Sequence, residues 1–165
     1  MRVSLAIAAP DDAPELAALH AAVAEALTSE FGQGPWSHAP SERAVVDGLR
    51  RSTIYLARKR GRIIATLALS TRKPWAIDKS YFSPVAKPLY LTSMAIAPRQ
   101  QRRGIGRLCM VEAASAARGW PADAIRLDAY DAAAGAGGFY AKCGFREVGR
   151  VVYRKTPLTY YELVL

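Results

Sequence analysis

The chain has 165 residues, of which 51% are hydrophobic, and its 23 lysines and arginines outnumber its 14 aspartates and glutamates, giving a formal net charge of +9. This length suits a single domain covering residues 1–165, and no run approaches the roughly 18 to 20 apolar residues of a membrane span. Pro10 and two aspartates come too early for a signal peptide, so we expect a cytoplasmic protein without a membrane partner.

The two cysteines, Cys109 and Cys143, show neither metal-ligand spacing nor a disulfide framework. We expect both to be reduced packing residues rather than a disulfide or a nucleophile, and we predict no metal site. The positive charge implies attraction to anions without saying which anion.

The N-terminal segment predicts a strand followed by a helix. Residues 3–7 alternate weakly, and Asp11 and Asp12 then begin a helix that runs to about Thr28. His20 lies on its apolar stripe, so a packed, hydrogen-bonded histidine is favoured over a catalytic one. The other residues of the stripe are Leu16, Leu19, Val23 and Leu27.

Residues 31–40 form a loop, because they contain two glycines and two prolines. This loop carries Trp36 and His38, which could form the wall of a ligand site or could cover the edge of the core. A second short helix follows over residues 41–51, with Ser41 as its cap.

Two strands, residues 54–57 and 63–70, are joined at Gly61 as an antiparallel hairpin. The basic cluster at residues 58–62 is interpreted as the solvated turn of this hairpin rather than as a nucleic-acid contact. Residues 71–88 follow, with three prolines and clustered aromatic side chains at Trp75, Tyr81 and Phe82. An insertion of this length is usually functional or packs as a lid.

The second half of the chain alternates strands and helices, which predicts a mixed α/β sheet. The expected strands are residues 89–96, 124–129, 147–154 and 159–165, and the expected helices begin after Gly104 and at Ala132, the latter ending at Cys143. No repeat, linker or low-complexity segment suggests a second domain.

The turn after the strand at residues 89–96 is suited to binding an anion. Pro98 stops the strand, and Gly104 and Gly106 let the backbone come close to a ligand at the helix start. Free amides and the helix dipole favour a phosphate there. Four arginines strengthen that field: Arg99, Arg102, Arg103 and Arg107.

The sequence QRRGIG at residues 101–106 matches the Gln/Arg-x-x-Gly-x-Gly/Ala pyrophosphate loop of the GNAT acetyltransferases. It follows a strand ending in Ile96-Ala97-Pro98, and GFYAKCGF stands about one strand and one helix later, at residues 138–145. The chain lacks a Gly-x-x-x-x-Gly-Lys-Ser/Thr loop and the third glycine of a dinucleotide fold. The chain therefore resembles a GNAT enzyme in element order along nearly its whole length.

This resemblance implies a mixed sheet of six or seven strands, flanked by about four helices and splayed between the strand ending near Ile96 and the strand near Leu127. Acetyl-CoA would lie in the split, with its pantetheine arm on exposed strand backbone and its pyrophosphate on the loop. The implied cofactor-binding residues are Met94, Ala95, Ile96, Gln101, Arg102, Arg103, Gly104, Ile105, Gly106 and Arg107.

Tyr140 matches the family tyrosine that protonates the departing thiolate, and a phenol can also stabilise that thiolate by a hydrogen bond. The alternative is a half-buried helix aromatic. The chain has Ala133 where the family often has a cofactor-contacting asparagine. No general base is evident: Glu30, His38 and Asp78 lie in variable segments, and each is more simply a solvated residue.

The resemblance implies an acetyl-CoA-dependent N-acetyltransferase that acts on a small-molecule or peptide amine by direct attack in a ternary complex. The alternative is a catalytically idle acyl-CoA-binding or regulatory domain of the same fold. Nucleic-acid binding is not expected, because no aromatic residues interleave with the basic clusters. A homodimer is compatible with the sequence, and residues 71–88 are expected beside the acceptor site or at a dimer contact.

Overall fold

The computed structural model describes residues 2–165. Its strands are β1 (Ala6–Ile7), β2 (Thr53–Lys59), β3 (Arg62–Ser70), β4 (Pro88–Ile96), β5 (Ala124–Tyr130), β6 (Arg146–Tyr153) and β7 (Thr156–Val164). Its helices are α1 (Ala13–Phe31), α2 (Glu42–Arg51), α3 (Ile105–Gly119) and α4 (Gly137–Lys142). Short 3-10 turns precede α1 and interrupt several loops.

The seven strands form one mixed sheet in the order β1-β2-β3-β4-β5-β7-β6. Only β4 and β5 pair in parallel, and every other neighbouring pair is antiparallel. The mixed α/β architecture, the strand number at the upper expected value and the four helices are therefore confirmed.

The two faces of the sheet carry different helices, and strand residues alternate between them. On one face Ile105, Cys109 and Ala113 of α3 join the main core, and each is at most 1% exposed. On the other face Leu16 and Leu19 of α1 pack in a second cluster. Burying one such aliphatic side chain stabilises the fold by about 1.5 to 3 kcal/mol.

The sheet splits between β4 and β5, as the resemblance implied. Their pairing covers only the first three residues of each strand and ends at Tyr90 opposite Arg126. Beyond that point β4 keeps its neighbour β3 on one side, where Thr66 pairs with Ala95. A bulge at Ser93, with φ of 53°, adds to the irregularity. The side of β4 that faces β5 therefore has no strand partner for its peptide groups over residues 91–96.

Several element boundaries differ from the sequence prediction by a few residues, and two of these differences have a clear cause. The first strand is only Ala6–Ile7, because just these two residues find partners on β2. The last helix begins at Gly137 rather than at Ala132. The preceding loop folds back on β5, and a Cβ at Gly135 would lie 1.8 Å from the carbonyl oxygen of Tyr130, so the chain makes a tight turn there before the helix starts.

The segment between β3 and β4, residues 71–87, packs on the sheet as part of the core. Ile77 and Phe82 are buried against Tyr90 and Tyr160 in a third apolar cluster. Trp75, by contrast, is 89% exposed.

A buried ion pair ties this segment to the sheet. Arg126 Nε donates to Glu162 Oε2 at 3.0 Å, and Arg126 Nη2 donates to the Ser83 carbonyl at 2.6 Å. The Ser83 N–H donates in turn to Glu162 Oε1 at 3.1 Å. Both charged side chains are thus paired and hydrogen-bonded, which is what a buried charge requires.

Candidate functional site

The loop between β4 and α3 presents free amides to solvent. Gly104, the residue before α3, has φ of 79°, and no side chain caps the helix. The first helical hydrogen bond runs from the Leu108 N–H to the Gly104 carbonyl at 3.2 Å. The amides of residues 105–107 precede that bond, so they have no acceptor within the helix and can bind an anion.

Gln101 fastens this loop to the end of β4. Its side-chain Nε2 donates to the Ile96 carbonyl at 3.0 Å, and its own N–H donates to the Pro98 carbonyl at 3.4 Å. The amide of Gln101 is therefore engaged in the turn. Its contribution is to position the loop, and the free amides begin further along the chain.

A cavity of about 500 Å³, which we call the arginine-loop cavity, lies between this loop, the open edge of β4 and α4. Ile105 is 1% exposed with its side chain in the core, so only its backbone can take part, and Arg103 is exposed outside the cavity. The other residues implied as cofactor-binding all line the cavity: Met94, Ala95, Ile96, Gln101, Arg102, Gly104, Gly106 and Arg107.

A second cavity of about 420 Å³, the α1 cavity, adjoins the first at the split. Its walls are α1, the loop at residues 32–41, and the parts of β4 and β5 that have separated. No residue of 71–87, all of which the structure describes, lines either cavity. The expectation that this segment lies beside the acceptor site is therefore not supported.

Tyr140 stands where the two cavities meet. Its hydroxyl lies 3.6 Å from the sulfur of Met94 on the open edge of β4, and its ring packs edge-on against Phe139 and Phe145. Burial raises the pKa of Tyr140 well above its ordinary value, and the charges of Cys143 and Asp128 raise it further. The phenol thus remains neutral and acts as a hydrogen-bond donor over the ordinary pH range.

The model of the acetyltransferase (GNAT) family matches residues 20–145, a range that contains the loop, the split and Tyr140. The chain belongs to the GNAT family. No curated protein sequence matches it.

Solved structures with the GNAT fold are similar along the whole chain. An acetyltransferase from Thermus thermophilus has a TM-score of 0.72 at 21% identity, covering 100% of this chain and 98% of that chain. The ribosomal-protein-S18-alanine N-acetyltransferase from Escherichia coli has a TM-score of 0.73 at 14% identity, covering 98% and 93%. The ribosomal-protein-alanine N-acetyltransferase from Brucella melitensis has a TM-score of 0.72 at 17% identity, covering 98% and 99%. The TM-scores show a shared fold, and at such low identities the similarity extends to the fold alone.

In this GNAT chain the aromatic loop forms a wall of the α1 cavity. Trp36 packs edge-on against Tyr130 with ring centroids 5.9 Å apart, and its Nε1 donates to the Gly32 carbonyl at 2.9 Å. Exposed His38 and half-buried His20 also line the cavity. Of the two interpretations of this loop, the geometry favours the wall of a ligand site.

The three residues that the sequence offered as a general base lie in different surroundings. Glu30 is exposed and lines neither cavity, whereas His38 lines the α1 cavity. Asp78 caps a 3-10 turn, accepting from the Ser80 N–H at 3.0 Å and from the Ser80 hydroxyl at 2.7 Å. These hydrogen bonds lower the pKa of Asp78, which makes it a poor proton acceptor.

Sequence reasoning missed Asp128, which lines the α1 cavity from β5. The residues beside it, Leu127 and Ala129, point into the main core, so Asp128 faces the opposite side. Burial raises the pKa of this carboxyl above its ordinary value of 3.8. The available signal was an acidic residue in a strand that also carries Arg126 and is otherwise mostly apolar.

The two cysteines agree with the sequence interpretation. Cys109 and Cys143 are free thiols, and burial raises the pKa of Cys109 to about 11. Within residues 2–165 no three His, Cys, Asp or Glu side chains are grouped as metal ligands. No helix in the described part of the chain is long and apolar enough to cross a membrane.

Proposed function

We propose that this protein transfers the acetyl group of acetyl-CoA to a primary amine by direct attack within a ternary complex. Acetyl-CoA supplies an activated acetyl group as a thioester. The proposal goes beyond family membership, because it assigns the group transferred, the kind of acceptor and the route.

The observation that carries the proposal is that the two cavities share one stretch of wall. Two ligands, one in each cavity, would therefore meet at the same point, as direct transfer requires. The shared residues are Val23, Leu27, Met94, Ala95, Ala134, Gly135, Ala136 and Tyr140.

The arginine-loop cavity has the chemistry to hold coenzyme A. The free amides at residues 105–107 and the guanidinium groups of Arg102 and Arg107 suit a diphosphate. The unpaired edge of β4 suits an arm that contains amides, which can bind it as an added strand would. Ala133 is exposed and lines neither cavity, so backbone rather than that side chain forms this wall of the site.

Tyr140 would act on the sulfur of the thioester. Since its pKa is raised by burial, full proton transfer to a thiolate is costly, and donation of a hydrogen bond is the role that fits. In the structure the Tyr140 hydroxyl already lies 3.6 Å from a sulfur atom, that of Met94, which is the kind of contact proposed here.

The test is a screen of primary amines that follows thiol release from acetyl-CoA, preceded by isothermal titration with acetyl-CoA alone. We expect saturable binding of acetyl-CoA and turnover with at least one class of amine. Binding without turnover of any amine would support the idle acyl-CoA-binding domain instead. Two of the similar structures are named as ribosomal-protein-alanine N-acetyltransferases, so a peptide with N-terminal alanine belongs in the screen.

A further inference from the structure

Asp128 is a carboxylate that lines the α1 cavity without a cationic partner among the described residues. It lies on β5 directly opposite Tyr160 of β7, on the face that carries α1. It is half-buried, and within residues 2–165 it takes part in no ion pair. A nearby exposed carboxylate, Asp131, does have a cation, Arg150, at 3.9 Å.

The charged residues that line the α1 cavity differ from those of the chain as a whole. Among its described lining residues Asp128 carries the only carboxylate, and none is a lysine or an arginine, although the whole chain has a net charge of +9. A half-buried carboxylate without a partner is unfavourable, and a cation bound beside it would offset that cost. The cavity therefore favours a positively charged ligand.

Much of the rest of the wall is aromatic and aliphatic. Trp36 and Tyr130 form an edge-on pair near Asp128, and Val23, Leu27 and Pro35 add apolar surface. The volume of about 420 Å³ is that of a site for a small molecule. A ligand that satisfies both features has one ammonium group on an apolar body.

We infer that Asp128 binds the ammonium group of a small arylalkyl amine and takes its proton before the acetyl group is transferred. This inference rests on the proposed function, and it assigns to that function a base and an acceptor class.

The proposed transfer conserves protons and charge. Asp128 takes one proton from the ammonium group, which frees the nitrogen lone pair to form the bond to the acetyl carbon. The carbon–sulfur bond breaks, and its electron pair stays on sulfur beside the Tyr140 hydroxyl. The new amide nitrogen loses a second proton, which neutralises the thiolate, and protonated Asp128 releases its proton to solvent through the open cavity. The net products are the N-acetyl amine, free thiol and one proton.

Other titratable groups face the same space and shape its pH dependence. They are His20 from α1, His38 from the loop, Tyr130 beside Asp128 on β5 and Tyr140 from α4. Tyr160, opposite Asp128 on β7, lies outside the cavity lining, and its hydroxyl donates to the Ala76 carbonyl. Burial raises the pKa of Tyr130, and the Asp128 charge raises it further, while burial lowers the pKa of His20. Asp128 is thus the only carboxylate among these phenols and imidazoles.

The first arm of the test compares two ligands on the wild-type protein. The amine 2-phenylethylamine and the amino acid phenylalanine differ only by a carboxylate, which would lie next to Asp128 when the ammonium is bound. We expect kcat/KM for 2-phenylethylamine to exceed that for phenylalanine by at least tenfold. Equal use of the two, or acetylation of other amines but not of 2-phenylethylamine, would overturn the acceptor class.

The second arm compares Asp128→Asn with a matched control, Asp131→Asn, which removes a carboxylate three residues away that lines neither cavity. We expect Asp128→Asn to lower kcat/KM at pH 7 by ~10²-fold or more, the scale of one acid–base group. Binding of 2-phenylethylamine in the presence of CoA, measured by titration calorimetry, should weaken at least tenfold. Asp131→Asn should stay within twofold in both measurements, and acetyl-CoA affinity should be unchanged in both variants.

A pH profile separates a base from a residue that only supports the structure. As the pH rises from 7 to 9.5, solvent deprotonates more of the amine, so the deficit of Asp128→Asn should shrink at least tenfold. A constant deficit would contradict the proton-accepting role. Wild-type turnover together with an Asp128→Asn rate within threefold at pH 7 would overturn this inference alone. Absence of wild-type turnover with every amine would instead refute the proposed function. If Asp128→Asn does not fold, the ligand pair still decides the acceptor class, and the wild-type titration decides whether CoA-bound protein takes up the amine.

Discussion

The Tyr140 hydroxyl lies 3.6 Å from the Met94 sulfur, and these two residues close the split between β4 and β5 from opposite sides. Met94 comes from the open edge of β4, and Tyr140 comes from α4, which follows β5. Both cavities reach this contact. Under the proposed function, it marks the place where an amine and a thioester would meet.

Tyr140→Phe should lower kcat and kcat/KM by ~10²-fold or more, because the hydroxyl acts mainly in the transition state. The phenyl ring retains its packing, so the melting temperature and the affinity for acetyl-CoA should stay close to wild type. Single-turnover rates with a true acceptor provide the measurement. Equal rates would remove Tyr140 from the chemistry and leave it a packing residue.

Gly104→Val should weaken acetyl-CoA binding more than tenfold, or roughly 1.4 kcal/mol, measured by titration calorimetry. Gly104 has φ of 79°, which strains a β-branched residue, and a side chain there would stand at the approach to the free amides. Gly61→Val is the matched control, because Gly61 has φ of 77° and is equally open, but lies in the β2–β3 turn. Both variants should lose stability, and only Gly104→Val should lose cofactor affinity. Comparable affinity losses in both would show a global effect.

Arg103 lies outside the arginine-loop cavity, so Arg103→Ala should change acetyl-CoA affinity much less than Gly104→Val. Exposed charge pairs contribute about 0 to 1 kcal/mol, which corresponds to a few-fold change in the dissociation constant. A loss as large as that of Gly104→Val would place Arg103 on the phosphates.

Phe82→Ala should lower the free energy of unfolding by about 3 to 5 kcal/mol, because Phe82 is 7% exposed and packs on Tyr160 and under Arg126. Trp75→Ala, from the same segment, should change it by less than about 0.5 kcal/mol, since Trp75 is 89% exposed. Chemical denaturation measures both values. Acetyl-CoA affinity should be nearly unchanged in the folded state of each variant, and a selective loss of affinity would mean that the segment covers the coenzyme.

The pH dependence of stability should reveal His20. Burial lowers the pKa of His20 below its ordinary value of 6.5, so the unfolded chain binds this proton more readily than the folded protein does. The contribution of neutral His20 to the free energy of unfolding is therefore fully present above pH 6.5 and is lost as the pH falls below that value. Melting temperatures should fall more steeply between pH 6.5 and 5.5 for wild type than for His20→Gln, with parallel curves above pH 7.5. Parallel curves throughout would show that His20 titrates normally.

The local sequence determined the loop and its surroundings. A strand stopped by Pro98, glycines at 104 and 106, and an amphipathic run from Ile105 act over short distances, so their structure follows from local backbone preferences. The hairpin at Gly61 was predictable for the same reason. The helix start at Ala132 was predicted wrongly, because a contact of Gly135 with the Tyr130 carbonyl overrides the helical tendency of the alanines.

Tertiary structure alone decided which residues face the split. Along β5, polar residues alternate with core residues, and this pattern predicts the solvent face of a strand for Arg126, Asp128 and Tyr130. In the fold, residues 71–87 cover Arg126 and supply the Ser83 carbonyl, which it binds along with Glu162 of β7. The elements α1 and the Trp36 loop line the cavity beside Asp128 and supply no lysine or arginine to it. These neighbours lie some tens of residues or more away in the chain, and no periodicity within one strand records them. The sequence therefore determines that β5 has a polar face, and only the packing of distant elements makes Arg126 a structural tie and Asp128 an unpaired charge in a cavity.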